Sequence, residues 1–119
     1  MSDLNLSLVS GNLGADPRMS YTSGGSAVCH FSLATNSYSK NKDTGERVEY
    51  TEWHDIVLFG RKAETAGELL RKGLKVFVKG PSHTRKWKDN QNIERYRKEI
   101  KGEEFQILSP SNERAQAEK

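Results

Sequence analysis

Flat aromatic side chains and cations are interleaved along this sequence in a way that could do chemistry together. Trp53 and Phe59 lie in one run, Thr51-Glu52-Trp53-His54-Asp55-Ile56-Val57-Leu58-Phe59-Gly60. Arg61 and Lys72 follow, then Arg85-Lys86-Trp87-Lys88 and Tyr96. A single nucleic-acid strand needs this mixture. Its bases stack on aromatic faces at ~1–3 kcal/mol each, while a cationic groove tracks its phosphates. Stacking accepts any base, so the set implies weak sequence preference. Taken alone, Trp53 reads equally well as a packed core residue, because Trp buries much area when it is packed. The set, rather than any one residue, favours display.

The run 51–60 has strand composition and ends in glycine. Successive side chains of a strand point to opposite faces. Trp53, Asp55, Val57 and Phe59 therefore share one face, and His54, Ile56 and Leu58 share the other. The second set reads as core. The first carries two aromatics beside a carboxylate and reads as a displayed face, since packing both faces would bury Asp55.

The chain has 119 residues, enough for one domain with a modest core. It is 34% hydrophobic and 29% charged, which is polar but globular. It shows no 18-residue apolar run and no charged-then-apolar leader, so neither a membrane span nor a signal peptide is expected. The lone Cys29 cannot staple a fold, and a reducing cytoplasm suits it. The net charge of +3 hides an asymmetry. Residues 71–101 hold 11 Lys/Arg against 3 Asp/Glu, a net +8, while residues 1–70 hold 6 against 9. Clustered positive charge is the footprint of a polyanion partner, although a solvated basic face is common.

These residues need elements to position them. Leu4, Leu6 and Leu8 alternate with polar residues as in a half-buried strand, and Gly11 and Gly14 suggest a bulge or sharp bend. Residues 19–22 form a short extended piece. Ala27 to Thr35 is a strong strand, with Cys29, Phe31 and Leu33 on one face and Val28, His30 and Ser32 on the other. Residues 36–47 read as a long exposed hairpin loop with Tyr38 at its base. From Lys62 to Lys72 the period becomes helical through Ala63, Ala66, Leu69 and Leu70, and Lys72-Gly73 supplies a cation and a capping glycine. Leu74 to Lys79 is a strand. Residues 82–88 and 93–100 around Asp89-Asn90-Gln91-Asn92 make a second, basic hairpin, and Phe105, Ile107 and Leu108 close the last strand. Three strands, one short helix and two strands, with a glycine bend in the first, is the order of the OB-fold. The expectation is an all-β, five-stranded Greek-key barrel over residues 1–108, with the helix between strands 3 and 4. Residues 109–119 contain no apolar side chain larger than Ala beyond Pro110 and are expected to be a disordered tail.

Gly11-Asn12-Leu13-Gly14-Ala15-Asp16-Pro17 resembles the opening of bacterial single-stranded DNA-binding proteins. So do Ala27-Val28 through Phe31-Ser32-Leu33-Ala34-Thr35, Thr44-Gly45-Glu46, Thr51-Glu52-Trp53-His54, Leu70-Arg71-Lys72-Gly73 and Thr84-Arg85-Lys86-Trp87. The resemblance spans about residues 4 to 108. It implies an OB-fold, a homotetramer and sequence-independent binding of single-stranded DNA during replication, recombination, repair or plasmid and phage DNA transfer. It implies stacking roles for Trp53, Phe59 and Trp87, positions along the DNA path for Arg61, Lys72, Arg85 and Lys86, and a subunit interface at His54. Lys88 and Tyr38 join the DNA-binding set from the residue reading. Three departures stand out. Ser39, with Tyr38 before it, occupies a place that often holds Trp. Asp55 stands where Arg is frequent, so a carboxylate should weaken binding locally. The Gly-rich linker and acidic tip are missing, as in a short variant or a truncated chain.

No enzyme is expected. Gly67 to Gly73 lacks the spacing and the Lys-Ser/Thr ending of a phosphate loop. Cys29 and His30 are strand neighbours facing opposite ways, and three His and one Cys give no metal spacing. No metal or other cofactor is implied, and Glu103-Glu104 reads as a solvated turn. Two rivals remain: an OB module that binds RNA or assists replication restart, and an accessory subunit docking an acidic protein. Glu113 and Glu118 balance Arg114 and Lys119 in the tail. Weak or absent binding to replication and repair enzymes that read an acidic tip is therefore expected. The expected location is the cytoplasm, at the nucleoid.

Overall fold

Period-two alternation of apolar side chains gives this chain its strands, and glycines bend them into a barrel. The computed structural model describes residues 3–108, so the expected tail lies outside the described residues. The elements are β1 (Ser7–Leu13), β2 (Arg18–Tyr21), β3 (Ala27–Lys40), β4 (Arg47–Phe59), α1 (Arg61–Leu69), β5 (Lys75–Gly80), β6 (Ser82–Lys88), β7 (Glu94–Lys101) and β8 (Glu104–Ile107). Sheet order is β6-β7-β4-β3-β1-β5-β8, with β2 against β3. β5 runs into β6 across Pro81, and β7 into β8 across Gly102-Glu103. The two ends of the sheet are thus joined through the chain itself, and the sheet curls into a partly open barrel. Counted as continuous strands these are the expected five, with β2 as a small addition and one helix between the third and fourth.

The kink that closes the barrel is held by backbone hydrogen bonds. Lys101 N–H donates to Pro81 O at 2.9 Å, Gly102 N–H to Val57 O at 2.9 Å and Glu103 N–H to Lys79 O at 2.8 Å. A Cβ at Gly80 would collide with the Lys101 carbonyl, and one at Gly102 with the Leu58 side chain, so only glycine allows this approach. Inside, Val9, Leu13, Cys29, Phe31, Leu33, Ile56, Leu58, Val76, Val78 and Ile100 form one cluster. Ala63, Ala66 and Leu70 from α1 and its end seal it. Burial pushes the Cys29 thiol up to about 11. Among the described residues, no helix is long and apolar enough to cross a membrane.

Several expectations need correction. Leu4, Leu6 and Leu8 are exposed, and the buried phase of β1 is Val9, Gly11 and Leu13. Leu4 and Leu6 precede the ladder, which begins at Ser7 against Gly80. The helix stops at Leu69, three residues early. Leu70 turns extended and is fully buried, and burying that side chain outweighs one more helical turn. Gly73, at φ 91°, serves the turn beyond rather than the helix cap. Half of the long loop 36–47 is strand. Its ladder runs from Asn36 opposite Thr51 to Lys40 opposite Arg47, leaving only residues 41–46 as a turn. Polar residues pair their backbones as well as apolar ones once the register is set. Finally, Val57 is 2% exposed although it lies on the face expected to be displayed, and Val28, opposite Phe59 in the ladder, is buried as well.

Candidate nucleic-acid interface

Register decides which side chains share a surface. In the β3–β4 ladder Trp53 lies opposite Ala34, Asp55 opposite Ser32, Val57 opposite His30 and Phe59 opposite Val28. β4 pairs in parallel with β7, Val57 beside Lys101. In the β6–β7 hairpin His83 lies opposite Glu99, Arg85 opposite Arg97 and Trp87 opposite Arg95. Alternation carries one face across all these strands. Trp53, Phe59 and Trp87 are therefore on the same outer face. They are 57%, 43% and 37% exposed, and none belongs to the core cluster.

Each ring has a support. A Cβ at Gly14 would run into Cζ3 and Cη2 of Trp53, so the glycine provides the seat for the indole. The Arg85 guanidinium lies over the Trp87 ring at 4.5 Å, and Lys101 Nζ over Phe59 at 5.3 Å. On the arm formed by the outer halves of β3 and β4, Arg47 covers Tyr38 at 3.8 Å. Such cation–ring contacts contribute about 0.5–1 kcal/mol when exposed. Between Trp53 and the β6–β7 hairpin lies an open groove of about 930 Å³, walled also by Arg18, His30, Asp55, Arg85 and Arg97, with Glu99 in its wall.

Glu99 is the buried charge of this surface, 4% exposed. Its Oε1 accepts from Arg85 Nε at 3.1 Å and lies 3.6 Å from His83 Nε2, while Oε2 lies 4.0 Å from His30 Nε2. Asp55 accepts from the Ser32 hydroxyl at 3.2 Å and faces Arg97 Nε at 3.7 Å. Burial holds His30 below the ordinary histidine value. The Glu99 charge pulls the other way, and Arg18 and Arg85 reinforce the fall. Among the described residues no group of His, Cys, Asp and Glu is placed to hold a metal ion.

The model of the single-strand binding protein family matches residues 4–108. The chain belongs to this family. Among solved structures, it resembles a Plasmodium falciparum SSB in complex with single-stranded DNA. That match has 32% identity and a TM-score of 0.80, covering 92% of this chain and 98% of the other. It also resembles a deletion variant of the single-stranded DNA-binding protein from Thermus aquaticus, at 31% identity and a TM-score of 0.76. There the match covers 92% of this chain and 52% of the other. The family is one of DNA-binding proteins without enzymatic activity.

Within this single-strand binding protein the expected residues divide. Trp53, Phe59, Trp87 and Arg85 come together on the grooved face. Lys86 and Lys88 leave the opposite face of β6, where Lys86 Nζ lies 5.5 Å over Tyr96. Arg61 opens α1 just beyond Phe59-Gly60 and is exposed. Lys72 lies past the helix, its backbone N–H donating to Asp16 Oδ1 at 2.8 Å. Tyr38 stands on the arm, away from the groove. His54 is half-buried on the reverse face of β4, with Nε2 2.9 Å from the Thr35 hydroxyl. Sequence reasoning missed the parts played by Glu99, Arg97, Arg18 and Gly14. Glu99 carried one signal: it is the lone acid between Arg97-Lys98 and Ile100-Lys101, in phase with Arg97. Arg18 carried none.

Proposed function

We propose that this chain coats single-stranded DNA with little regard for sequence, in replication, recombination, repair or plasmid and phage DNA transfer. The observation that carries the reading is the placing of Trp53, Phe59 and Trp87, half-exposed, on one grooved face beside cations. Bases stack on these rings while phosphates meet Arg61, Lys72, Arg85, Lys86 and Lys88 along the barrel and hairpin. Tyr38, already backed by Arg47, extends the stacking surface on the arm. Titration with oligo-thymidylate tests this directly, because Trp53 and Trp87 are the only two tryptophans and both should be quenched. Absence of quenching would sink the reading. A uridine oligoribonucleotide that wins in competition would turn it toward RNA.

The functional form we infer is a homotetramer working at the cytoplasmic nucleoid. Leu4, Leu6 and Leu8 are 90%, 45% and 62% exposed, an apolar edge that a second copy could cover. His54 lies near Ser7, where that edge enters the ladder. Light scattering at micromolar concentration should give a mass several times 13.4 kDa, and a monomer there refutes the idea. Partners that read an acidic tip should be bound weakly or not at all, which a pull-down of such an enzyme measures.

A further inference from the structure

We propose that Asp55 makes the groove beside Trp53 a subsite that favours guanine, a local preference laid over sequence-tolerant stacking. The inference rests on the single-stranded DNA reading above. Asp55 and Trp53 are two residues apart on β4, so both side chains leave the same face, about 7 Å apart along the strand. Half the width of a base plus one hydrogen bond of about 2.9 Å spans a distance of that order. A base stacked on Trp53 can therefore present its edge to the Asp55 carboxylate. Both residues line the one groove, and it is open.

The donor and acceptor pattern then selects the base. An ionised carboxylate only accepts, with two oxygens and about four lone-pair sites. One of these sites takes the Ser32 hydroxyl at 3.2 Å. The contact to Arg97 Nε, at 3.7 Å, is longer than a hydrogen bond and leaves acceptor capacity toward the groove. Guanine alone among the four DNA bases has two adjacent N–H donors on one edge, N1–H and the 2-amino group. Beside them stands the O6 acceptor, which needs a donor. Asp55 flanked by Arg97 offers the complementary row of two acceptors and a donor. Adenine, cytosine and thymine can each give Asp55 only one hydrogen bond.

The test compares three oligonucleotides of equal length on the unmodified protein: all-thymine, alternating guanine–thymine, and alternating inosine–thymine. Inosine keeps N1–H and O6 and lacks only the 2-amino group. The guanine strand should bind about fivefold more tightly than the inosine strand. In Asp55→Asn that ratio should collapse toward one, while the thymine strand binds at least as tightly, since a negative charge has left the groove. Equal affinity for the guanine and inosine strands on the unmodified protein overturns the subsite, and so does a ratio that survives Asp55→Asn. The comparison on the unmodified protein needs no variant, so a poorly folding Asp55→Asn would not blunt it. A thymine strand that fails to bind would instead overturn the single-stranded DNA reading itself.

Discussion

Truncating either indole probes the grooved face at the scale of one residue. Trp53→Ala and Trp87→Ala should each weaken single-strand binding by ~1–3 kcal/mol, read from quenching of the remaining Trp. Both should melt close to the parent, because neither ring is in the core cluster. A large loss of melting temperature with unchanged affinity per folded molecule would make that Trp a core residue. Glu99→Gln should act in the opposite sense on DNA. It keeps the shape but removes the charge that holds Arg85, so affinity should rise and steepen its salt dependence. Stability should fall by about 1–2 kcal/mol, because a buried partner is lost while the half-exposed Arg85 can turn to water. Denaturant titration beside DNA titration separates the two effects. The rings were legible in the sequence because period-two alternation within β4 and β6 is local. Glu99, Arg97 and Gly14 were not, because their roles come from a parallel pairing of β4 with β7 and from β1 ending beneath Trp53. Neither is encoded by spacing along one strand.

At the scale of elements, the arm beyond the barrel is the part most open to change. From Asn36–Thr51 outward the β3–β4 ladder has exposed residues on both sides save Val48. Its backbone hydrogen bonds have little apolar cover, so its amides should exchange with solvent far faster than those of Val28 to Leu33. Bound single-stranded DNA should slow exchange in the arm and at the β6–β7 tip. Arm amides as protected as the barrel in the free protein, or unmoved by DNA, would contradict this. Strands, the helix and their order were legible because each has its own period. The helix end was not, because Leu69 and Leu70 are identical residues and only the packed barrel distinguishes them. The length of the arm was hidden for a related reason. Its sequence has loop composition, and its strand character comes from the partner across the ladder.

The molecule as a whole should be less stable in mild acid. The fold favours neutral His30, whereas the unfolded chain takes up the proton near the ordinary value of 6.5. As pH falls from there through the folded value, the unfolded state binds more protons and stability drops, while above 6.5 this term is flat. Glu99 and Asp55, which oppose the shift, and Arg18 and Arg85, which deepen it, all face the ring. His30→Asn should flatten this limb of a melting-temperature profile, and an unchanged limb would assign the acid sensitivity elsewhere. A last consequence belongs to Cys29. It is the sole sulfhydryl of the chain, it has no solvent contact, and its proton is held to about pH 11. An alkylating reagent can reach it only when the barrel comes apart, so the rate of its modification is a clock for whole-molecule opening. Bound single-stranded DNA cannot touch a sulfur with no solvent contact, yet by mass action it must slow the clock.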